Sequence, residues 1–436
     1  MTEKFYIKGG TPLKGEVSIG GAKNSVLKLM AAALLAKGET KIYNVPDLTD
    51  VEIMLSVIAQ LGAKTSYDKN EKSVTIDAAD LTSITAKYEL VSKMRASFIV
   101  LGALVSRCKE AIVALPGGCA IGERRVDFHI KGLEALGAKI KIENGYVHAK
   151  ASKLMGTDIY LDIPSVGATE NLMLASILAE GSTRIQNAAQ EPEIVDLANF
   201  LNSMGADVIG AGTSEIVING VKQENLHPIE YTTIPDRIEA GTFMSAIIAT
   251  KGKAIIKNVF PAHLTFFTDK LLKMGANIKL IEPTSIEVSC KNRLNSINFV
   301  TQPYPGFPTD CQPQMMSLCC FAKGLTTIRE EIFESRFSHK NHLIKMGADI
   351  ESCGKNAIIK GVKSLKGCRT QAQDLRGGAA LVIAGLAAEG QTTVENIYHI
   401  QRGYEDLEKG LRSLGGFIET TEEERKEEKV QGQSAD

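Results

Sequence analysis

The sequence predicts an α/β protein of six repeats, each about 70 residues long, with helices inside and sheets outside in two groups of three. Three observations carry this. The phrase Leu/Met-Gly-Ala-Lys/Asp/Asn recurs with its glycine at positions 62, 137, 205, 275 and 347, and a degenerate copy, Leu414-Gly415-Gly416-Phe417, ends the series. Successive glycines lie 75, 68, 70, 72 and 68 residues apart, so the units fill the chain. Each unit also carries a helical stretch rich in alanine and leucine, and a helix apolar on most sides has to be covered.

Taken in order, each unit reads helix, strand, helix, strand, strand. The alanine-rich helices (Leu29 to Ala36, Leu172 to Ala179, Leu381 to Ala388) end near Gly38, Gly181 and Gly390. A β-rich stretch follows, as in Thr40-Lys41-Ile42-Tyr43 or Thr392-Thr393-Val394-Glu395. A second helix runs into the Leu-Gly-Ala phrase, whose glycine supplies a left-handed C-cap. Strands close the unit, as in Ile140-Lys141-Ile142 and Ser214 to Ile218. Residues 421–436 combine dense charge with no apolar face and are expected to form a flexible, solvated tail.

A chain of 436 residues is expected to divide into two or three domains. Its 50 basic and 51 acidic residues leave a net charge of -1, so nothing global favours nucleic acid or an anionic membrane. The N-terminus has no signal-peptide core, and no apolar run approaches the ~20 residues that span a bilayer. A cytoplasmic protein is therefore expected. None of the eight cysteines forms a Cys-x-x-Cys pair, which argues against a disulfide framework or a metal site. Seven read as small apolar filler, and the eighth is Cys119.

Cys119 sits in Leu115-Pro-Gly-Gly-Cys-Ala-Ile-Gly-Glu-Arg124-Arg125-Val-Asp-Phe-His129. Glycines let this backbone approach a ligand, and nearby cations favour the thiolate; a structural loop with an incidental cysteine is the competing reading. Gly20-Gly21-Ala22-Lys23-Asn24-Ser25 leads into a helix, as an anion site would. Its spacing matches neither the P-loop nor the dinucleotide fingerprint. Arg95, Arg124, Arg336, Arg376 and Arg402 stand near turns, where guanidinium groups could ring a substrate bearing several negative charges. Pro305-Gly-Phe-Pro-Thr-Asp310 presents a carboxylate that could act as general base or cap the following helix. His339 and His342, lacking a matched third ligand, read as surface or loop residues; no metal and no cofactor are expected.

At these residues the chain closely resembles the UDP-N-acetylglucosamine 1-carboxyvinyltransferase family of enolpyruvyl transferases, from about residue 3 to about residue 419. The motifs Gly-Gly-Ala-Lys-Asn, Pro-Gly-Gly-Cys-Ala-Ile-Gly, Pro-Ser-Val-Gly-Ala-Thr, Ile-Pro-Asp-Arg-Ile-Glu, Phe-Pro-Thr-Asp and Gln-Arg-Gly-Tyr-Glu carry the resemblance in combination. It implies two inside-out α/β barrel domains of three repeats each: residues 22–233, with the Cys119 loop, and residues 1–21 plus 234–420. The first strand would return to complete the second domain.

The resemblance also implies a reaction between phosphoenolpyruvate and UDP-N-acetylglucosamine, without nucleic acid or membrane partners. Lys23 and Asn24 would meet phosphoenolpyruvate. Arg124 and Arg402 would hold its anionic groups, with Arg336 and Arg376 nearby. Arg95, the segment Arg124, Arg125, Val126, Asp127 and Phe128, then Ser165, Val166, Gly167, Asp310 and the backbone of Ile332 would grip the UDP-sugar. Asp310 would remove the proton of the 3-hydroxyl, Cys119 would deliver one to C3 of phosphoenolpyruvate or assist release, and Asp374 would orient Arg376. Three positions depart from the family pattern: Arg125 replaces a proline, Glu123 adds a charge, and Ile163 stands where some members have lysine. They fit a second paralogue. The alternatives are an enolpyruvylshikimate-phosphate synthase-like enzyme, against which Cys119 argues, and a non-catalytic regulatory paralogue that binds the UDP-sugar.

Overall fold

The structure, a computed structural model, describes residues 2–117, 121–122 and 126–423. Its strands form six separate four-stranded sheets rather than one closed barrel. Every sheet has the same plan: a parallel pair, then two strands added antiparallel. In the sheet of Asp158–Tyr160, Ser182–Gln186, Glu215–Asn219 and Asp207–Ile209, the first two strands are parallel and the others antiparallel. In four of the sheets the parallel pair is the product of a strand-helix-strand crossover through an alanine-rich helix; in the other two the parallel partners come from distant parts of the chain.

Those six helices are Lys23–Ala32, Val100–Cys108, Val166–Ser176, Arg237–Ala249, Gln312–Cys319 and Leu375–Ala387. All are buried over nearly their whole length, so the reading of helices inside and sheets outside holds. Small residues allow the close approach. At Gly102 a Cβ would lie 2.2 Å from the Asn171 carbonyl oxygen, so only glycine fits where helix Val100–Cys108 meets helix Val166–Ser176. The repeat glycines 62, 137, 205, 275, 347 and 415 all take positive φ, between 81° and 103°, as left-handed caps require.

Two hydrophobic cores result. One gathers residues between Val26 and Leu226; the other gathers Phe5 to Ile19 with Ile238 to Ile418. The N-terminal strand Thr2–Lys8 lies between Gln391–Glu395 and Phe417–Glu423, supplying the strand that the sixth unit lacks. Strand Phe417–Glu423 extends three residues into the segment expected to be tail, because Thr2, Glu3 and Lys4 offer it a pairing edge. Residues 424–436 lie outside the described residues.

The chain passes between the cores twice. Strand Lys14–Ser18 pairs with Lys253–Lys257 in the second core, and the helix that follows it belongs to the first. Strand Glu230–Thr232 pairs with Glu39–Tyr43 in the first core, and its helix belongs to the second. The two passages bond to each other: the Ala22 N–H donates to the Ile234 carbonyl at 2.7 Å, and the Asp236 N–H to the Gly20 carbonyl at 2.9 Å.

Two side-chain expectations need correction. His339 and His342 are buried, at 1% and 5% exposure, not surface residues, a placement their polar neighbours in sequence do not reveal. Of the seven described cysteines, Cys290, Cys311, Cys319 and Cys320 are buried filler, whereas Cys353 is exposed and Cys108 and Cys368 are half-buried. No described helix is long and apolar enough to cross a membrane.

Candidate active site

The site is assembled at the N-terminal ends of the six central helices. Lys23 is the first residue of its helix, Arg95 opens the 3-10 turn before Val100–Cys108, and Ser165 caps Val166–Ser176. In the second half the corresponding positions are all aspartates: Asp236 caps Arg237–Ala249, Asp310 lies just before Gln312–Cys319, and Asp374 caps Leu375–Ala387. The positive end of each helix dipole thus accompanies the site residues and favours anions there.

Lys23 is buried, and its Nζ lies 2.5 Å from Asp50 Oδ2. Burial pulls the Lys23 ammonium below its ordinary value; Asp50 opposes this, while Arg376 and Arg402 push it lower still. The other Asp50 oxygen accepts from Arg402 Nε at 3.0 Å. One buried carboxylate therefore joins a lysine of the first half to an arginine that belongs to the second. Arg402 also donates to the Lys93 carbonyl at 3.3 Å, two residues before Arg95.

The Asp310 carboxylate does not cap the following helix. It accepts from Arg336 Nη2 and lies 3.4 Å from Arg376 Nε. Arg336, 2% exposed, also donates from Nε to the Thr309 carbonyl at 3.1 Å and lies 3.8 Å from Asp374. Asp374 accepts from the backbone N–H groups of Arg376 and Gly377, each at 3.0 Å, and from Ser338 Oγ at 2.8 Å. Its burial would raise its pKa, but Arg336 and these donors outweigh that and hold it below the usual carboxylate value. Asp374 thus fixes the start of the helix that carries Arg376. Arg376 stacks 5.2 Å from the Tyr404 ring centroid, and among the described residues its buried Nη1 has no hydrogen-bond partner.

A second group lies in the first half. Ser165 Oγ accepts from the Ala168 N–H at 3.4 Å, and a Cβ at Gly167 would touch the His129 ring at 3.5 Å. Val166 and Phe128 are half-buried against the first core, and Val126 and Asp127 open helix Asp127–Ala135. Asn24 is engaged at its backbone carbonyl by Lys28 Nζ at 3.2 Å. The Ile332 N–H donates to Glu330 Oε1 at 2.9 Å. Ile163 is 58% exposed. Cys119, Glu123, Arg124 and Arg125 lie outside the described residues. Beside them, the Ile121 carbonyl accepts from the Ser335 N–H at 3.1 Å, so the loop of the first half meets the Arg336 turn of the second.

Lys23, Asp310, Arg336, Asp374, Arg376 and Arg402 are thus brought together, and Arg95 with Ser165 to Gly167 forms the neighbouring group. Three contributors were not singled out from the sequence. Asp50 sits in an ordinary helix start, Thr-Asp-Val-Glu, with no local signal. His129 ends the Cys119 segment; Asn171 Nδ2 lies 2.8 Å from its Nδ1, and burial holds the ring neutral, at a pKa of about 3. Asp236 stood in the motif Ile-Pro-Asp-Arg-Ile-Glu and could have been read as a cap.

Next to the site, Glu239 Oε2 accepts from the Gly20 N–H at 2.9 Å. Burial first, then Asp236 and Glu405, raise the Glu239 pKa to about 8 against the opposing Gly20 bond and Lys72. A raised folded-state pKa contributes stability that is full below the unfolded value near 4.5 and is lost as pH rises through about 8. Glu239→Gln keeps the acceptor for Gly20 and removes the titration. The melting-temperature advantage of the variant over the parent should therefore grow between pH 5 and 8 and then level off; an advantage independent of pH would refute the assignment.

Fold and candidate site together point to the class of α/β enzymes, with charged side chains gathered at the starts of the central helices. The family model of EPSP synthase (3-phosphoshikimate 1-carboxyvinyltransferase) matches residues 7–411. The chain is 52% identical over 418 residues to UDP-N-acetylglucosamine 1-carboxyvinyltransferase 2 of Carboxydothermus hydrogenoformans, covering 96% of this chain and 99% of that one. It is 49% identical over 418 residues to UDP-N-acetylglucosamine 1-carboxyvinyltransferase 1 of Caldanaerobacter subterraneus, with the same coverage. Among solved structures, the enolpyruvyl transferase NikO from Streptomyces tendae superposes with a TM-score of 0.87 at 27% identity, covering 96% of this chain and 99% of that one. EPSP synthase from Acinetobacter baumannii, at 20% identity and a TM-score of 0.74 over 97% of this chain and 100% of that one, shares the fold. The protein is a transferase, and it belongs to the EPSP synthase family of enolpyruvyl transferases.

Proposed function

We propose that the protein transfers the enolpyruvyl group of phosphoenolpyruvate to the 3-hydroxyl of UDP-N-acetylglucosamine and releases phosphate, a step of peptidoglycan precursor synthesis in the cytoplasm. The observation that carries this is the joining of Lys23 and Arg402 through Asp50 beside Asp310, itself held by two buried arginines. The cations suit a phosphate and a carboxylate, and Asp310, the most exposed carboxylate of the cluster, is assigned to the acceptor hydroxyl.

In this reading a proton is added to C3 of phosphoenolpyruvate, leaving an oxocarbenium-like C2. The sugar oxygen attacks C2 while Asp310 takes the hydroxyl proton. The tetrahedral ketal then loses a C3 proton, and the C2–O bond to phosphate breaks as the double bond returns. Lys23, Arg402, Arg336 and Arg376 stabilise charge by being aimed before reaction begins. Arg124 and the proton donor Cys119 are assigned from their motifs. Residues 22–233 would be one domain and residues 1–21 plus 234–420 the other, with the UDP-sugar held by Arg95, Arg124 to Phe128, Ser165 to Gly167, Asp310 and Ile332. An enzyme of this kind would support cell-wall growth, shape and division.

The test is phosphate release from phosphoenolpyruvate with and without UDP-N-acetylglucosamine, in parent and Cys119→Ser proteins. Release should require the UDP-sugar and collapse in the variant. The thiol should also react with an epoxide resembling phosphoenolpyruvate, of the fosfomycin type, and Cys119→Asp should escape that inactivation. Release with shikimate 3-phosphate instead would move the acceptor, and tight UDP-sugar binding without turnover would mark a regulatory paralogue.

A further inference from the structure

We infer that Glu330 is a positioning residue that locks the loop bearing Asp310 and the turn bearing Ile332 into one frame, so that base and acceptor-binding backbone keep a fixed separation. The inference rests on the proposed roles of Asp310 and Ile332 in holding and deprotonating the acceptor. Glu330 follows strand Leu325–Arg329 and is 2% exposed. Thr309 Oγ1 donates to both of its carboxylate oxygens, at 3.1 Å each. Its Oε1 also accepts from the backbone N–H groups of Ile332 at 2.9 Å and Phe333 at 3.1 Å. Among the described residues its carboxylate forms no ion pair; every hydrogen bond to that carboxylate comes from one of the two segments that carry Thr309 and Ile332.

The frame closes through Arg336. The Arg336 N–H donates to the Phe333 carbonyl at 3.3 Å, and its Nε donates to the Thr309 carbonyl at 3.1 Å. Thr309 is thereby held at its side chain by Glu330 and at its carbonyl by Arg336, and Asp310 is the next residue. A buried carboxylate that takes three donors in four contacts, and no cation among the described residues, contributes geometry, and its removal frees both segments together. Lys23, Asp50 and Arg402 share no contact with Glu330, so the phosphoenolpyruvate side of the site is not tied to it.

The experiment compares Glu330→Ala, Glu330→Gln and Thr309→Val with the parent at a temperature where circular dichroism shows all of them folded. In Glu330→Ala, kcat/KM for UDP-N-acetylglucosamine should fall by about ten- to a hundredfold, the factor that displacement of a positioned group produces. KM for phosphoenolpyruvate should stay within about twofold of the parent, as independent sites require. Glu330→Gln keeps an oxygen for the Ile332 and Phe333 N–H groups and should recover part of the loss. Thr309→Val should reproduce the part that depends on the hydroxyl. Hydrogen exchange, read without substrate, should speed up in residues 305–311 and 332–336 together in Glu330→Ala. Unchanged kinetics with a lowered melting temperature would overturn the inference, as would equal loss for both substrates or exchange confined to one segment. A parent that releases no phosphate with this acceptor would refute the proposed function, and the exchange result would still decide the role of Glu330.

Discussion

Replacing Asp310 by asparagine is expected to lower kcat by about two to four orders of magnitude, the contribution of a positioned general base. The substitution keeps the size of the side chain and one oxygen for Arg336, so the frame around it survives. It removes the capacity to accept a proton. The Asp310 side chain is 28% exposed even while both arginines hold it, whereas those arginines are 2% and 3% exposed. Melting temperature should fall, because two enclosed guanidiniums lose their counter-charge, while KM for phosphoenolpyruvate should stay near the parent value, because the lysine and arginine assigned to it contact Asp50 instead. Steady-state phosphate release measures both constants. A kcat within a few-fold of the parent would remove Asp310 from the base role and leave it as an anchor for the two arginines.

Arg336→Ala should destabilise the protein by about 3–5 kcal/mol, the cost of stripping the partner from buried charge. The guanidinium is almost fully enclosed and serves three acceptors: the Asp310 carboxylate, the Asp374 carboxylate and the Thr309 carbonyl. Truncation leaves two carboxylates facing each other's surroundings without their shared cation. The contrast is Lys273–Asp269, an exposed pair one helical turn apart, where loss of either partner should cost less than ~1 kcal/mol. Denaturant melts of Arg336→Ala and Lys273→Ala test both figures. Turnover by Arg336→Ala should also fall at temperatures where it remains folded, since Arg376 alone cannot keep Asp310 in place. Arg336→Lys should recover charge but not the fork that reaches Thr309 and Asp310 at once. Equal stability of the Arg336→Ala and Lys273→Ala proteins would contradict the burial argument.

The repeat architecture was legible because its signals are local. A glycine that ends a helix with positive φ needs only its own backbone geometry, and all six repeat glycines have it. The burial of the central helices followed from composition, since stretches such as Leu381 to Ala388 have no polar face to offer water. Lys23, Asp310, Arg336, Arg376 and Arg402 could be noted because each stands near a turn or helix start in the sequence, whereas Asp374 entered only through the family resemblance.

What joins those residues was not legible, because it depends on contacts between distant parts of the chain. Asp50 meets Arg402 across 352 positions, and nothing in Thr49-Asp-Val-Glu marks that carboxylate as shared. His339 and His342 look like surface or loop residues, yet helix Lys340–Lys345 packs against helix Leu375–Ala387 and both rings are buried. The exchange of strands between the cores is equally non-local: Lys14–Ser18 and Glu230–Thr232 each read as an ordinary edge strand, and only the partner sheet decides which core receives them. Helix starts, turns and caps are chosen by neighbours in sequence. The identity of a buried counter-charge is chosen by whichever side chain the packed helices bring within hydrogen-bond reach.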